Sequence, residues 1–176
     1  MNMNLTTSQH FSLALRSCVV ALLVCLLAGC GFQLRGQRAL PFHSIYLGMS
    51  PYDDLAVAIK RELRANNDTQ VTDTLQEAQV NMVVLVNSKE KAILSLNSQG
   101  TVREYQLRQH FAFRLVDKAG LEVMPYNEIN VSRDISFNDS QILAKEQEES
   151  LLYRDMQNDL VQQLMRRLST AKLNTP

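Results

Sequence analysis

Surplus charge, cysteine and long apolar runs are all scarce in this chain. Its 176 residues carry 18 basic and 18 acidic side chains, three cysteines and three histidines. Balanced charge leaves no basic footprint for nucleic acid. The longest uncharged apolar run, CVVALLVCLLAG at residues 18–29, is about a dozen residues long, whereas a helix needs about 20 to span a bilayer. Six glycines are too few and too scattered for a phosphate-cradling loop, and no GxSxG elbow is present to activate a serine. Ser95, Ser98, Ser132 and Ser136 have ordinary strand or turn explanations. His43 and His110 have no second histidine or cysteine at ligand spacing, so the pattern of a zinc site is missing. There is no internal repeat and no long low-complexity tract. These absences argue against an enzyme and against any metal or organic cofactor.

The most specific local signal is LLAGCGFQLRG, Leu26 to Gly36. A short apolar run with Arg16 just before it reads as the core of a secretory leader. Its last four residues, Leu27-Ala28-Gly29-Cys30, resemble the bacterial lipobox. There the cysteine sulfur takes a diacylglycerol, the leader is cut before the cysteine, and the new amino group is acylated. The thiolate is the only good nucleophile nearby. Glycine after Cys30 resembles lipoproteins passed on to the outer membrane, and two or more acyl chains hold a protein there stably where one does not. The expected organisation is therefore a leader at 1–29, a lipidated tether at 30–41 and one domain at 42–176. Losing the leader removes Arg16, Cys18 and Cys25, leaving 17 basic against 18 acidic residues and Cys30 as the only cysteine. A disulfide framework is thereby excluded. About 147 residues remain, enough for one domain with its own core.

Beyond Pro41 the pattern alternates between strand and helix. Ser44 to Met49 reads as a short strand. Ser50-Pro51-Tyr52-Asp53 has a capping serine, proline at the first helical position and acids in the first turn, marking a helix. Leu55, Ile59 and Leu63 give that helix an apolar stripe until Asn66-Asn67-Asp68 ends it. Residues 80–87 and 92–96 are strand-like, interrupted at Lys89-Glu90-Lys91, where a bend or bulge is expected. Asn97-Ser98-Gln99-Gly100 is a hairpin turn. In the strand after it, Tyr105, Leu107, Phe111, Phe113 and Leu115 alternate with Glu104, Gln106, Arg108, His110 and Arg114. Asp117-Lys118-Ala119-Gly120 turns the chain again into a strand through Ile129, Val131, Ile135 and Phe137, with Pro125 marking an edge or a bend. Asp139-Ser140 caps a long last helix whose apolar row is Leu152, Met156, Leu160, Leu164 and Leu168, and residues 170–176 read as a frayed end. The expected fold is α+β: two helices on one face of a mostly antiparallel four-stranded sheet.

Three stretches together resemble the LptE (RlpB) family of lipopolysaccharide-assembly lipoproteins. They are Ala28 to Gly36 at the mature start, Gly100 to Leu107 after the hairpin turn, and Leu143 to Glu149 opening the last helix. The resemblance implies a non-enzymatic outer-membrane lipoprotein on the periplasmic side, with a covalent diacylglycerol and N-acyl chain on Cys30. It implies that the protein fills the lumen of a β-barrel partner, LptD, supports its assembly and helps deliver lipopolysaccharide to the cell surface. Family members are thought to contact lipopolysaccharide through basic residues at the hairpin tip and at the start of the last helix. Lys145 matches the second position; the tip itself has no basic residue here, and Arg103 stands closest. Lys145 has an alternative reading as a surface lysine paired with Glu148 or Glu149. The alternative for the whole chain is an envelope scaffold or small-ligand module.

Overall fold

The computed structural model describes residues 39–65 and 69–173. The expected leader, Cys30, the tether up to residue 38, the helix stop at 66–68 and residues 174–176 lie outside the described residues.

The described residues open with strand β1, Ser44–Leu47, and helix α1, Asp54–Ala65. Asp53 rather than Ser50 caps α1, its Oδ1 accepting from the N–H of Leu55 at 2.8 Å and, less closely, of Ala56 at 3.4 Å. Ser50 and Pro51 instead form a turn ahead of the helix, closed by the Asp53 N–H on the Ser50 carbonyl at 3.1 Å. After α1 comes β2, Gln70–Thr72, a three-residue strand too short to carry a period of its own. Three long elements follow, β3 (Val80–Leu96), β4 (Val102–Asp117) and β5 (Glu122–Ser136), and then α2 (Ile142–Leu168).

The sheet has five strands in the order β2-β1-β3-β4-β5, and β1 runs parallel to both of its neighbours. The expectation of four mostly antiparallel strands is thus corrected to five of mixed orientation. The added strand is held by tertiary contacts: the Gln70 N–H bonds the His43 carbonyl at 2.8 Å and the Thr69 hydroxyl bonds the Phe42 carbonyl at 3.1 Å. Strands β3, β4 and β5 form the expected antiparallel meander.

Both hairpin turns use one device. Asn97 Oδ1 accepts the N–H groups of Gln99 and Thr101, and Asp117 Oδ1 accepts those of Ala119 and Leu121. Gly100 and Gly120 take the left-handed position at φ of 80° and 82°, where a side chain is costly.

Strand β3 is not broken at residues 89–91. Lys89, Glu90 and Lys91 pair in unbroken register with Gln109, Arg108 and Leu107, and the irregularities fall instead at Val84/Val86 and in the span from Ile93 to Leu96. A bulge adds one residue and so reverses which face the following side chains take. The slip at Leu85 therefore puts Lys89 and Lys91 on the helix-covered face. Pro125 sits on an edge strand beside a register slip between Phe113 and Leu115, so both of its expected reasons apply.

Both helices pack on one face of the sheet. Leu107, Phe111, Phe113 and Leu115 of β4 meet Leu55, Ile59 and Leu63 of α1 and Met156, Leu160, Leu164 and Leu168 of α2, all essentially fully buried. Each such burial contributes roughly 1.5–3 kcal/mol. The chain after α2 is not frayed through residue 173: Ala171 is buried and Leu173 packs on the core.

Along β3 and α2 full burial is confined to one end. A 17-residue strand is on the order of 50 Å long, and the 12 residues of α1 span about 18 Å. No residue of β3 beyond Met82 is buried, and none of α2 before Met156. The open end, with the tip of the β3–β4 hairpin and the start of α2, is therefore held by other means.

Candidate binding surface at the open end of the sheet

The start of α2 is set by Asn138, one residue earlier than the expected Asp139-Ser140 cap. Its Oδ1 accepts from the Ser140 N–H at 3.0 Å and initiates a short 3₁₀ turn ahead of the helix. The first half of α2 then lies over the long hairpin on polar contacts. Lys91 Nζ is 2.6 Å from Glu149 Oε2 and 4.4 Å from the centre of the Tyr105 ring. The Tyr153 hydroxyl donates to the Glu90 carbonyl at 3.2 Å, with the Lys89 ammonium 5.9 Å from its ring centre. Burial, reinforced by the nearby Glu149 carboxylate and opposed by Lys91, raises the Tyr153 phenol above its ordinary pKa. The acids of the first turns thus include two structural ties: Glu149 to Lys91 and Glu148 to Lys145.

Lys145 Nζ donates to Glu148 Oε2 at 2.8 Å and to Ser136 Oγ at 2.9 Å, and its side chain is only 17% exposed. The pairing with Glu148 is the alternative reading of this lysine, realised. Arg103 is exposed, its guanidinium has no ion-pair or hydrogen-bond partner among the described residues, and its backbone carbonyl accepts from the Phe137 N–H at 2.8 Å. Arg103 and Lys145 are therefore anchored on consecutive residues, Phe137 and Ser136, at one end of the molecule.

Beside Lys145 lies a recess of about 220 Å³, lined by Tyr105, Ile135, Phe137 and Ile142, with Lys91 and Lys145 among its charged residues. Tyr105 and Phe137 meet edge to face with ring centres 5.4 Å apart. Around this end Ile93, Leu94, Leu96, Ile142 and Leu143 are all at least 45% exposed. This apolar rim and the role of Lys91 were not expected from the sequence. Alternation runs through Lys89 and Lys91 as it does through any solvated strand, and only the bulge at Leu85 turns them toward α2.

The opposite face of the sheet has no described helix on it and carries a lateral network of polar groups beside Val83, Val86, Ala112 and Val116. Arg108 Nε donates to Gln106 Oε1, and Gln106 Nε2 to Asp134 Oδ1. Arg114 pairs with Glu122 at 3.2 Å. Glu128 accepts from Asn130 and from the Tyr126 hydroxyl, and these two bonds, the Asn130 one first, hold its carboxyl below the usual range. His110 Nε2 lies 3.4 Å from Glu128 Oε1, within reach of an ion pair if the ring is protonated but without hydrogen-bond geometry. Arg108, His110 and Arg114 take the wet face as the alternation predicts.

A larger cleft of about 960 Å³ opens between α1, α2 and β3, and its walls mix Arg61, Lys89 and Arg154 with Asp54, Glu146 and Glu149. Among the described residues no group of three or more His, Cys, Asp or Glu is placed to hold a metal ion, and no helix is long and apolar enough to cross a membrane.

Residues 42–168 match the family described as LptE, Lipopolysaccharide-assembly. The chain is similar to the LPS-assembly lipoprotein LptE of Yersinia pestis (strain Pestoides F), 33% identical over 155 residues that cover 86% of this chain and 74% of the relative. Its fold is similar to the solution structure of a lipoprotein B from Nitrosomonas europaea, with a TM-score of 0.68 and 36% identity over 79% of this chain and 90% of that one. It is also similar to the crystal structure of the rare lipoprotein B from Shewanella oneidensis, with a TM-score of 0.61 and 25% identity over 72% and 94% of the two chains.

Proposed function

We propose, from the premise that this chain belongs to the LptE lipopolysaccharide-assembly family, that it is a non-enzymatic outer-membrane lipoprotein that plugs and helps assemble the LptD β-barrel. In this reading Cys30 carries the acyl chains that hold it on the periplasmic side, and the bound pair delivers lipopolysaccharide to the outer leaflet. The observation that carries it is the uncovered sheet face. A barrel lumen is polar, and a plug must present polar groups to it without leaving them unpaired. The Arg108–Gln106–Asp134 chain and the Arg114–Glu122 pair are satisfied laterally within the face, so these groups need no dedicated partner and the face tolerates a wet interface.

Lipopolysaccharide contact belongs to the open end. Arg103 offers an uncommitted guanidinium, suited to a phosphate, beside exposed aliphatic side chains suited to acyl chains. Lys145 contributes only by giving up Glu148, so Arg103 leads.

The test is affinity purification of the detergent-solubilised full-length chain at high salt, with partners identified by mass spectrometry. A stoichiometric outer-membrane β-barrel supports the plug. Recovery of the chain alone, or with soluble envelope proteins, overturns it in favour of a scaffold or ligand-binding module.

A further inference from the structure

Strand β5 is an edge of the sheet, 15 residues long, with β4 on one side and no described strand on the other. Such an edge presents a row of unpaired N–H and C=O groups, a template for another chain. Which groups face outward follows from the register. The Phe137 N–H bonds the Arg103 carbonyl, and Tyr105, Leu107 and Phe111 pair with Ile135, Arg133 and Ile129. Alternation in an antiparallel ladder then turns the odd-numbered backbone groups of β5 toward β4. The N–H and C=O groups of Glu128, Asn130, Ser132, Asp134 and Ser136 point away from the sheet.

Two of those outward carbonyls are occupied by arginines. Arg167, in the last turn of α2, donates Nη1 to the Glu128 carbonyl and to Asn127 Oδ1. Arg133 donates Nη1 to the Ser132 carbonyl at 2.9 Å, while its Nη2 binds the Asp159 carboxylate of α2. The beginning of the strand is disrupted differently, by Pro125 and two register slips.

We propose that Arg133 and Arg167 are gatekeepers that stop β5 from pairing edge to edge with β5 of a second copy of this chain. A second copy is the partner excluded because two identical antiparallel edges are self-complementary about a two-fold axis. The blocked carbonyls are four residues apart, about 14 Å along the strand, and between them only the two groups of Asn130 and the N–H of Ser132 remain free. A strand added there would lose two acceptors and meet two guanidinium groups. Helix α2 holds both gatekeepers, Arg167 as part of itself and Arg133 through Asp159, so the helix that covers the core also closes the edge. None of this rests on the lipopolysaccharide reading.

The test is sedimentation velocity on the detergent-solubilised full chain over a range of concentrations, with amide exchange read at Asn130, Ser132 and Asp134. Arg133→Ala with Arg167→Ala should tighten self-association at least about tenfold, or about 1.4 kcal/mol, and slow exchange of those amides as concentration rises. Adding Ser132→Pro removes an outward N–H at an edge position that accepts proline, and should return the double variant to wild-type behaviour. A folded double variant that associates no more than wild type overturns the proposal, as does association that survives Ser132→Pro. Should the double variant not fold, Arg133→Ala alone decides, because that side chain is 39% exposed: association reversed by Ser132→Pro supports the gate, and unchanged association overturns it.

Discussion

Lys91 and Glu149 join the sheet to the last helix beyond the last fully buried residues of β3 and α2, their charged atoms 2.6 Å apart and the lysine over the Tyr105 ring. Both side chains are partly exposed, at 37% and 24%, and pairs of that kind contribute about 0.2–1 kcal/mol.

Glu149→Ala should therefore lower global stability by less than about 1 kcal/mol yet speed amide exchange selectively in residues 143–153. Residues 156–168, on the buried row, should keep their protection. Equal acceleration along the whole of α2 would mean that the helix opens as one unit.

Gly48 is required by a close approach. Its N–H bonds the Met82 carbonyl at 3.0 Å, and a Cβ there would stand 2.5 Å from that oxygen. Gly48→Ala should cost about 1–3 kcal/mol in urea unfolding. A cost near zero would mean that the end of β1 moves freely away from β3.

Gln109 is 1% exposed on the core face of β4, and neither polar atom of its amide has a protein partner. A buried amide without a hydrogen bond costs roughly 1–3 kcal/mol. Gln109→Met, of similar shape, should raise the urea midpoint by a gain of that order without changing the slope. A loss of stability would show that the amide is satisfied in solution.

The Glu128 carboxyl should titrate below the ordinary carboxylate range in an NMR pH series, with Asn130→Ala moving it back up. Because its folded-state pKa is lowered, the hydrogen bonds from Asn130 and Tyr126 are fully present above the unfolded carboxylate value. They are lost as pH falls through the folded value. Titration at the ordinary value in wild type would remove the effect.

With purified lipopolysaccharide as probe, Arg103→Ala should weaken binding about tenfold, the scale of one charge-assisted hydrogen bond. Lys145→Ala should weaken it less, because Glu148 already holds that ammonium. Neither change should move the melting temperature by more than about 2 °C. A larger loss at Lys145 than at Arg103 would reverse their assigned order.

Much of this was legible residue by residue. The alternation of Tyr105 to Leu115, the row from Leu152 to Leu168, and the two turns closed by Gly100 and Gly120 all appear where the pattern puts them. Gln109 was missed because a polar residue at a core position breaks the pattern that identifies the core. Pattern did not bring out the apolar rim of the open end either: Ile93, Leu94 and Leu96 look like any apolar strand end, and only the structure shows them exposed.

By itself, the sequence determined the turns, the strand and helix periods and the lipobox resemblance, because each depends on residues within a few positions of one another. The tertiary structure alone decided the parallel pairing of β1 with β2 and β3, which joins Ile45 to Val71 and Val80. It also decided which face Lys91 takes, since the added residue at Leu85 reverses the alternation, and it brought Arg103 and Lys145 to adjoining anchors. Those outcomes depend on contacts between residues tens of positions apart, whose strength is set by packing and register and leaves no local mark on the chain.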